Sequence, residues 1–351
     1  MILSFAEKCV VKLINYPKKV EYFLNSEGII HHEIKNSHSS HNIELEFKKG
    51  STPQIIQKLH PNACVTSKGF AFHDTNNNLV YTDYCFDKVV KLIADSDIEP
   101  NFLWDILFDH IKIYLLKNKT VTLHAAGLEK NNSANLFFGW DGTGKSSILI
   151  DSIQNDCRFL GDDRIFLSPN GLVLPLFSSI KQFHHELLNY PKLLTQTSFT
   201  QRVFIRLSQE LENIPNRFKL FKKLGSLLLK IFRKYKWNYI VIKANTYGNL
   251  SNSSFELNKI FFINKGSNNT TKEIDFTSRI RSLASNIVYA DTEMIKRYNS
   301  ALFSGEINSI ECIEKMNEHI FNILHKSLSK LKFEIINIKE DTKINRNLWE
   351  S

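Results

Sequence analysis

The apolar and polar positions of the first hundred residues follow the pattern of short β-strands. The segment "HNIELEFKKG" places Ile43, Leu45 and Phe47 at every second position, which is the period of a half-buried strand. The segment "GFAFHDTNNNLVYTDY" predicts two strands around a turn at residues 74–78, because Asp and Asn favour tight turns. We therefore predict a smaller, β-rich N-terminal domain over residues 1–100.

The pattern after residue 100 predicts helices that alternate with strands. The segment "FLWDILFDHIKIYLLKN" repeats its apolar residues at three- and four-residue steps, as the buried face of a helix does. Strands are then predicted at "VTLHAAGLE", "NLFFG" and "RFLGDD", with a helix at "SSILIDSIQ" between the last two. Strand, loop, helix and strand in this order favour an α/β nucleotide-binding unit.

Further apolar segments complete this second domain. They predict strands over residues 239–244, 259–265 and 333–338, and helices over 276–286 and 311–331. The predicted fold is thus α/β, with a nucleotide-binding domain over residues 101–345.

The composition is that of an ordinary globular chain. Of its 351 residues, 42% are apolar and 23% are charged, which suits two modest domains. No apolar run reaches the ~18 residues of a membrane-spanning helix, and the N-terminal stretch lacks a signal-peptide pattern. The five cysteines are scattered and form no metal-type pair. These features predict reduced thiols and a cytoplasmic location.

The positive charge is concentrated in one segment. The chain carries a net charge of +9, and residues 217–236 contain eight Lys or Arg and no acidic residue. Because the rest of the chain is nearly neutral, we expect no nucleic-acid partner. Apolar residues at helical spacing predict a basic helix here. Three interpretations stay open: packing on the core with a solvated basic face, docking of an acidic ligand, and weak peripheral contact with an anionic membrane surface.

A glycine-rich loop is the clearest chemical motif. In "NLFFGWDGTGKSSILI", Gly139, Gly144, Lys145 and Ser146 fit the pattern G-x-x-x-x-G-K-[ST]. Such a loop turns backbone N–H groups toward phosphate oxygens, and the following helix presents its positive N-terminal end. The lysine would bridge the terminal phosphates, and the serine hydroxyl would join a Mg²⁺ shell. The predicted nucleotide-binding residues are Gly139, Asp141, Gly142, Thr143, Gly144, Lys145, Ser146 and Ser147.

Phosphoryl transfer also needs a carboxylate, and "FLGDD" supplies two. Asp162 and Asp163 follow an apolar run one helix after the loop. One carboxylate can accept a proton from an attacking hydroxyl while the other supports Mg²⁺; a solvated surface turn is the alternative. A competing metal carboxylate is Asp291, which ends the run "NIVYAD" but is equally placed to cap a helix. His124 precedes the loop in "LHAAG", with a structural role as its alternative.

The segments "LHAAG", "FFGWDGTGKSS" and "RFLGDD", in this order and at these distances, resemble the HPr serine kinase/phosphorylase group and its PEP-carboxykinase-like relatives. The resemblance covers roughly Val121 to Lys181. It implies a PEP-carboxykinase-like P-loop core and a phosphotransferase that moves phosphate from ATP, with Mg²⁺, to a hydroxyl group, commonly that of a serine.

The resemblance also implies a role for each matching residue. The β- and γ-phosphates are assigned to Gly142, Gly144 and Lys145, and the Mg²⁺ site to Ser146, Ser147 and Asp163. Asp162 is the general base, Asp163 supports that base or the metal, and His124 lies near the phosphates. The glycine- and arginine-containing signature that true HPr kinases carry after the Asp pair is absent, which puts HPr in doubt as the acceptor. Lys181 is a further phosphate or substrate contact by similarity to the divergent relatives.

The leading functional hypothesis is an ATP- and Mg²⁺-dependent kinase that acts on a hydroxyl acceptor. The alternative is a nucleotide-binding regulatory protein or an ATPase without phosphotransfer. A peptide or protein serine, free serine and a sugar hydroxyl all stay open as acceptors. ATP is the expected donor, with ADP and pyrophosphate as alternatives, and the oligomeric state is open.

Overall fold

The computed structural model describes residues 1–34, 40–49, 54–59, 62–140, 142–153, 157–177, 180–183, 202–203, 239–242, 250, 253–265, 275–329 and 331–338. The basic segment 217–236 and Asp141 lie outside these residues, so the predictions for them stay predictions. The protein is a mixed α/β chain with two large mixed sheets and, in its described part, seven α-helices.

The first sheet is built from the N-terminal hundred residues. Its strands are β1 (Ile2–Phe5), β2 (Cys9–Ile14), β3 (Ile43–Lys48), β4 (Ile55–Leu59), β5 (Ala63–Thr66), β6 (Gly69–His73), β7 (Leu79–Thr82) and β8 (Val90–Asp95). They lie in the order β1-β2-β3-β8-β7-β6-β5-β4. Helix α1 (Lys18–Ser26) and a short 3₁₀ turn (Ile29–His32) lie between β2 and β3 in the chain.

The predicted hairpin at residues 69–82 is confirmed. The Asp74 carboxylate accepts the backbone N–H groups of Asn76 and Asn78 at 2.8 and 2.9 Å, so its side chain closes the turn between β6 and β7. The predicted strand around Ile43, Leu45 and Phe47 is confirmed as β3, and these three residues are buried.

The second sheet follows helix α2 (Pro100–Lys117), which confirms the predicted helix. Its strands are β9 (Val121–Leu123), β10 (Ala126–Lys130), β11 (Ser133–Phe138), β12 (Arg158–Gly161), β13 (Ile165–Leu167), β14 (Leu172–Leu174), β17 (Phe255–Lys265) and β18 (Lys332–Ile338). The order is β12-β10-β11-β17-β14-β13-β9, and β18 also pairs with β17. Strand β17 runs parallel to both β11 and β18.

Two elements that were each predicted as one continuous segment are divided in the structure. The strand expected over 121–129 is two strands, β9 and β10, which break at His124 and Ala125 because β9 pairs with β13 whereas β10 pairs with β11 and β12. The helix expected over 311–331 is two helices, α6 (Glu311–Glu314) and α7 (Met316–Leu328).

The remaining helices are α3 (Lys145–Ile153), α4 (Phe276–Ala290) and α5 (Thr292–Phe303). Helix α3 confirms the helix predicted after the glycine loop, and α4 extends the one predicted over 276–286. Asp291 occupies the N-cap position of α5, so the interpretation of this segment as a helix start is confirmed. No described helix combines the length and apolar character that crossing a bilayer requires.

Aromatic side chains connect the first sheet to the second through α2. Phe5 lies 6.0 Å from Trp104, Trp104 stacks on Phe108 at 5.5 Å, and Phe108 lies 6.5 Å from Phe166, all between ring centroids. Residues 1–178 and 247–351 form one compact unit, so the strands on either side of the predicted boundary at residue 100 share a core. Strands β15 (Ile180–Phe183) and β16 (Tyr239–Ile242) pair antiparallel in a second unit, residues 179–246.

Candidate phosphate-binding site

The glycine loop joins the buried strand β11 to helix α3. A Cβ atom on Gly139 would lie 2.5 Å from Thr143 Oγ1 and 3.1 Å from the Ile263 carbonyl oxygen of β17, so only glycine fits between the loop and the neighbouring strand. Gly144 has φ +100°, a backbone conformation that other residues rarely adopt. Gly139 therefore lets the start of the loop lie against β17, and Gly144 allows the tight turn that phosphate-binding loops require.

Lys145 is the first residue of α3 and folds back over the loop. Its Nζ donates to the carbonyl oxygens of Gly139 at 2.8 Å and Trp140 at 3.4 Å. Only 4% of the residue is exposed. Its ammonium thus lies against the start of the loop, close to the positive N-terminal end of α3. This is a concentration of positive charge suited to a phosphate chain.

A hydrogen bond joins the loop to the predicted Asp pair. Ser146 Oγ donates to Asp162 Oδ2 at 2.9 Å, and Asp162 directly follows strand β12. A hydroxyl and a carboxylate in contact at the start of a phosphate-loop helix can jointly hold Mg²⁺ or its water ligands. The structure therefore brings the predicted Ser146 and Asp162 together.

The two carboxylates of the pair have different environments. Asp162 is 5% exposed, and burial, followed by the charge of Asp163, raises the pKa of its carboxyl to about 7. The Ser146 hydrogen bond and the charge of Lys145 act in the opposite direction. Asp163 is exposed and has φ +61°. Thus one carboxyl can exchange a proton near neutral pH, while its neighbour faces solvent.

Strand register places His124 at the same edge of the second sheet. Strand β10 is antiparallel to β11 and β12, with Ala126 opposite Phe137 and Gly127 opposite Gly161. The start of β10 therefore lies beside the ends of β11 and β12, where the loop and the Asp pair begin. His124 lies two residues before that start, in the break between β9 and β10.

Asp291, the competing metal carboxylate, is ion-paired with a residue of α2. Lys112 Nζ lies 2.7 Å from Asp291 Oδ1 and 3.0 Å from Asp109 Oδ1. Asp109 in turn binds Arg297, through Nε at 2.6 Å and Nη2 at 2.5 Å. These four residues form a charge cluster that joins α2 to α5, and this gives Asp291 a structural role.

An exposed aromatic pair beside the loop was not predicted. Trp140 lies within the loop and Tyr289 in the last turn of α4, with ring centroids 6.1 Å apart and ring planes at 73°. The two residues are 67% and 69% exposed. Trp140 occupies the first unspecified position of the G-x-x-x-x-G-K-[ST] pattern, and no pattern in the sequence indicated that Tyr289 would lie against it.

No group of three or more His, Cys, Asp or Glu residues that could hold a metal occurs in the described part of the chain. Ser146 and the Asp pair supply oxygen donors, and proteins usually bind Mg²⁺ through one or two carboxylates together with phosphate oxygens and water. A cavity of about 740 Å³ lies elsewhere, between residues 83–87, Lys117 and residues 306–322.

The predicted site residues therefore converge where they are described. The glycine loop, Asp162, Asp163 and His124 lie at one edge of the second sheet. Lys181 lies in β15 of the other unit.

A scan of protein-family models found no match to this chain, and neither did a search of curated proteins.

Proposed function

We propose that this protein binds Mg²⁺ and ATP at the loop from Gly139 to Ser147 and transfers the terminal phosphoryl group to a hydroxyl acceptor. The Ser146–Asp162 hydrogen bond of 2.9 Å carries the proposal. It links the residue expected to bind Mg²⁺ with the carboxylate expected to handle the proton of the acceptor. The proposed core is of the PEP-carboxykinase-like P-loop type, in a cytoplasmic protein.

Binding of the phosphates is the first task of such a site. The loop supplies backbone N–H groups, and α3 supplies the positive end of its dipole. Lys145 exchanges its carbonyl partners in the loop for the oxygens of the terminal phosphates, which are stronger acceptors because they are charged. In this conformation the ammonium of Lys145 occupies loop acceptors that it can release when a phosphate chain binds.

The residues present also fit a magnesium ion. Ser146 Oγ and the Asp163 carboxylate are oxygen donors, the ligand type that Mg²⁺ prefers. The bound ion would neutralise charge that develops on the transferred group. Because Ser146 is in contact with Asp162, an ion held by Ser146 would lie beside the proposed base.

Asp162 has the properties of the general base. Its pKa of about 7 lets it accept a proton from an acceptor hydroxyl at neutral pH. The exposed Asp163 is left to orient the ion or its water ligands. His124, at the same sheet edge, would face the phosphates and contribute a hydrogen bond or a charge.

Transfer of label from the nucleotide tests the proposal. The native protein is incubated with Mg²⁺ and γ-labelled ATP, together with peptides, free serine or monosaccharides, and the products are separated. Label on an acceptor supports a kinase. Release as free phosphate alone supports the alternative of an ATPase, and binding without turnover supports a regulatory protein. Absence of Mg·ATP binding would reject all three.

A further inference from the structure

We infer that Trp140 and Tyr289 form the acceptor-side docking surface of this site and bind an apolar side chain that flanks the hydroxyl group in a polypeptide acceptor. The inference rests on the proposed function and adds a determinant of specificity to it. It starts from the two exposed rings, which contact each other beside the loop.

The loop geometry assigns the pair to the acceptor side rather than to the nucleoside. Lys145 Nζ donates to the carbonyl oxygens of Gly139 and Trp140, so the lysine of the terminal phosphates lies against the residue that carries the indole. The acceptor hydroxyl must approach the terminal phosphate in line with the bond that breaks. We therefore place Trp140, whose carbonyl accepts from that lysine, beside the path of the acceptor.

The backbone near both rings is held by hydrogen bonds and an ion pair. Tyr289 lies two residues before Asp291, whose carboxylate is held 2.7 Å from Lys112, and the Asp291 N–H donates to the Ile287 carbonyl at 3.0 Å. Thr143 Oγ1 donates to the Trp140 carbonyl at 2.7 Å, which fixes the backbone under the indole. Because the backbone is already held, less conformational entropy is lost when the pair binds a partner.

The exposure of the pair favours a polypeptide over a small molecule. Binding sites for small molecules are concave and enclose most of the ligand, whereas two rings that are each two-thirds exposed enclose nothing. Exposed Trp and Tyr are the residue types that most often dominate protein–protein contacts. Since their faces are apolar, the matching group is a Leu, Ile, Met or Phe side chain near the accepted hydroxyl.

A positional-scanning peptide library tests the inference. Each peptide carries one central Ser, and labelling by γ-labelled ATP and Mg²⁺ is compared for native protein and the double variant Trp140→Ala/Tyr289→Ala. We expect native protein to prefer apolar residues at one or two fixed positions by about 10-fold or more. The double variant should lose that preference through a higher peptide KM.

The matched control is Tyr22→Ala, since Tyr22 is 74% exposed on α1; it should keep the native preference. A preference that survives in the double variant overturns the inference, as does a library that stays unlabelled while native protein binds Mg·ATP or labels a small molecule. If the double variant binds Mg·ATP more weakly than native protein but tripolyphosphate competes equally well in both, the aromatic pair binds the adenine base of the nucleotide instead. Failure of the proposed function looks different: native protein and Lys145→Ala alike would not bind Mg·ATP.

Discussion

The ammonium of Lys112 lies 2.7 Å from the carboxylate of Asp291, a contact that ties α2 to the junction of α4 and α5. Both side chains are nearly buried, and Lys112 also binds Asp109 at 3.0 Å. Tyr289, whose ring packs against Trp140 of the glycine loop, lies two residues before Asp291. The ion pair therefore holds the end of α4 near the residue that contacts the loop.

Lys112→Met should destabilise the protein by up to about 3–5 kcal/mol, because the nearly buried Asp291 carboxylate loses this cation, while Asp109 keeps Arg297. Urea unfolding followed by circular dichroism measures the difference. The control is Lys296→Met, which removes the exposed pair with Glu293 on α5 and should cost at most about 1 kcal/mol. Equal losses in the two variants would show that the charge cluster adds nothing to stability.

Asp162→Asn should reduce phosphoryl transfer by about 10²- to 10⁴-fold, because the amide cannot take up the proton of the acceptor. Binding of Mg·ATP should stay measurable, since Asn keeps an oxygen that can accept from Ser146. Single-turnover labelling and isothermal titration calorimetry measure the two quantities. Asp97→Asn, on an exposed loop, serves as the control, and full activity of Asp162→Asn would remove this residue as the base.

The raised pKa of Asp162 predicts a pH-dependent stability. Its folded-state pKa of about 7 lies above the ordinary value of 3.8, so the protonated carboxyl favours the fold. This contribution is full below the ordinary pKa and disappears as the pH rises through about 7. Native protein should therefore lose more melting temperature than Asp162→Asn between about pH 5 and about pH 8. If the melting temperatures of native protein and Asp162→Asn change equally with pH, burial does not raise the pKa of the Asp162 carboxyl.

Lys145→Ala should weaken Mg·ATP binding by at least about 10-fold, because a single charge-assisted contact to phosphate exceeds about 1.4 kcal/mol. Calorimetric titration of nucleotide measures the change. The exposed Lys326 near the end of α7 provides the control, since Lys326→Ala removes the same charge at a distance from the loop. Unchanged affinity in Lys145→Ala would reject the loop as the phosphate site.

Local patterns predicted the elements of the site well. Strand β11, helix α3 and the hairpin at Asp74 each depend on residues close in sequence, whose periodicity or turn chemistry decides the local backbone. The single strand expected over 121–129 was wrong because the break at His124 is imposed by pairing partners that lie far along the chain. Likewise, periodicity alone could not reveal that the helix expected over 311–331 divides after Glu314.

The sequence by itself determined the glycine loop, its lysine and serine, and the presence of an Asp pair one helix later, because spacing within a loop and helix is a local property. Only the tertiary structure decided that Ser146 touches Asp162, that Asp291 pairs with Lys112, and that Trp140 meets Tyr289. These contacts join residues whose distance is governed by sheet order and helix packing. Burial likewise separates the chemically identical Asp162 and Asp163, since desolvation acts only on the side chain that the fold encloses.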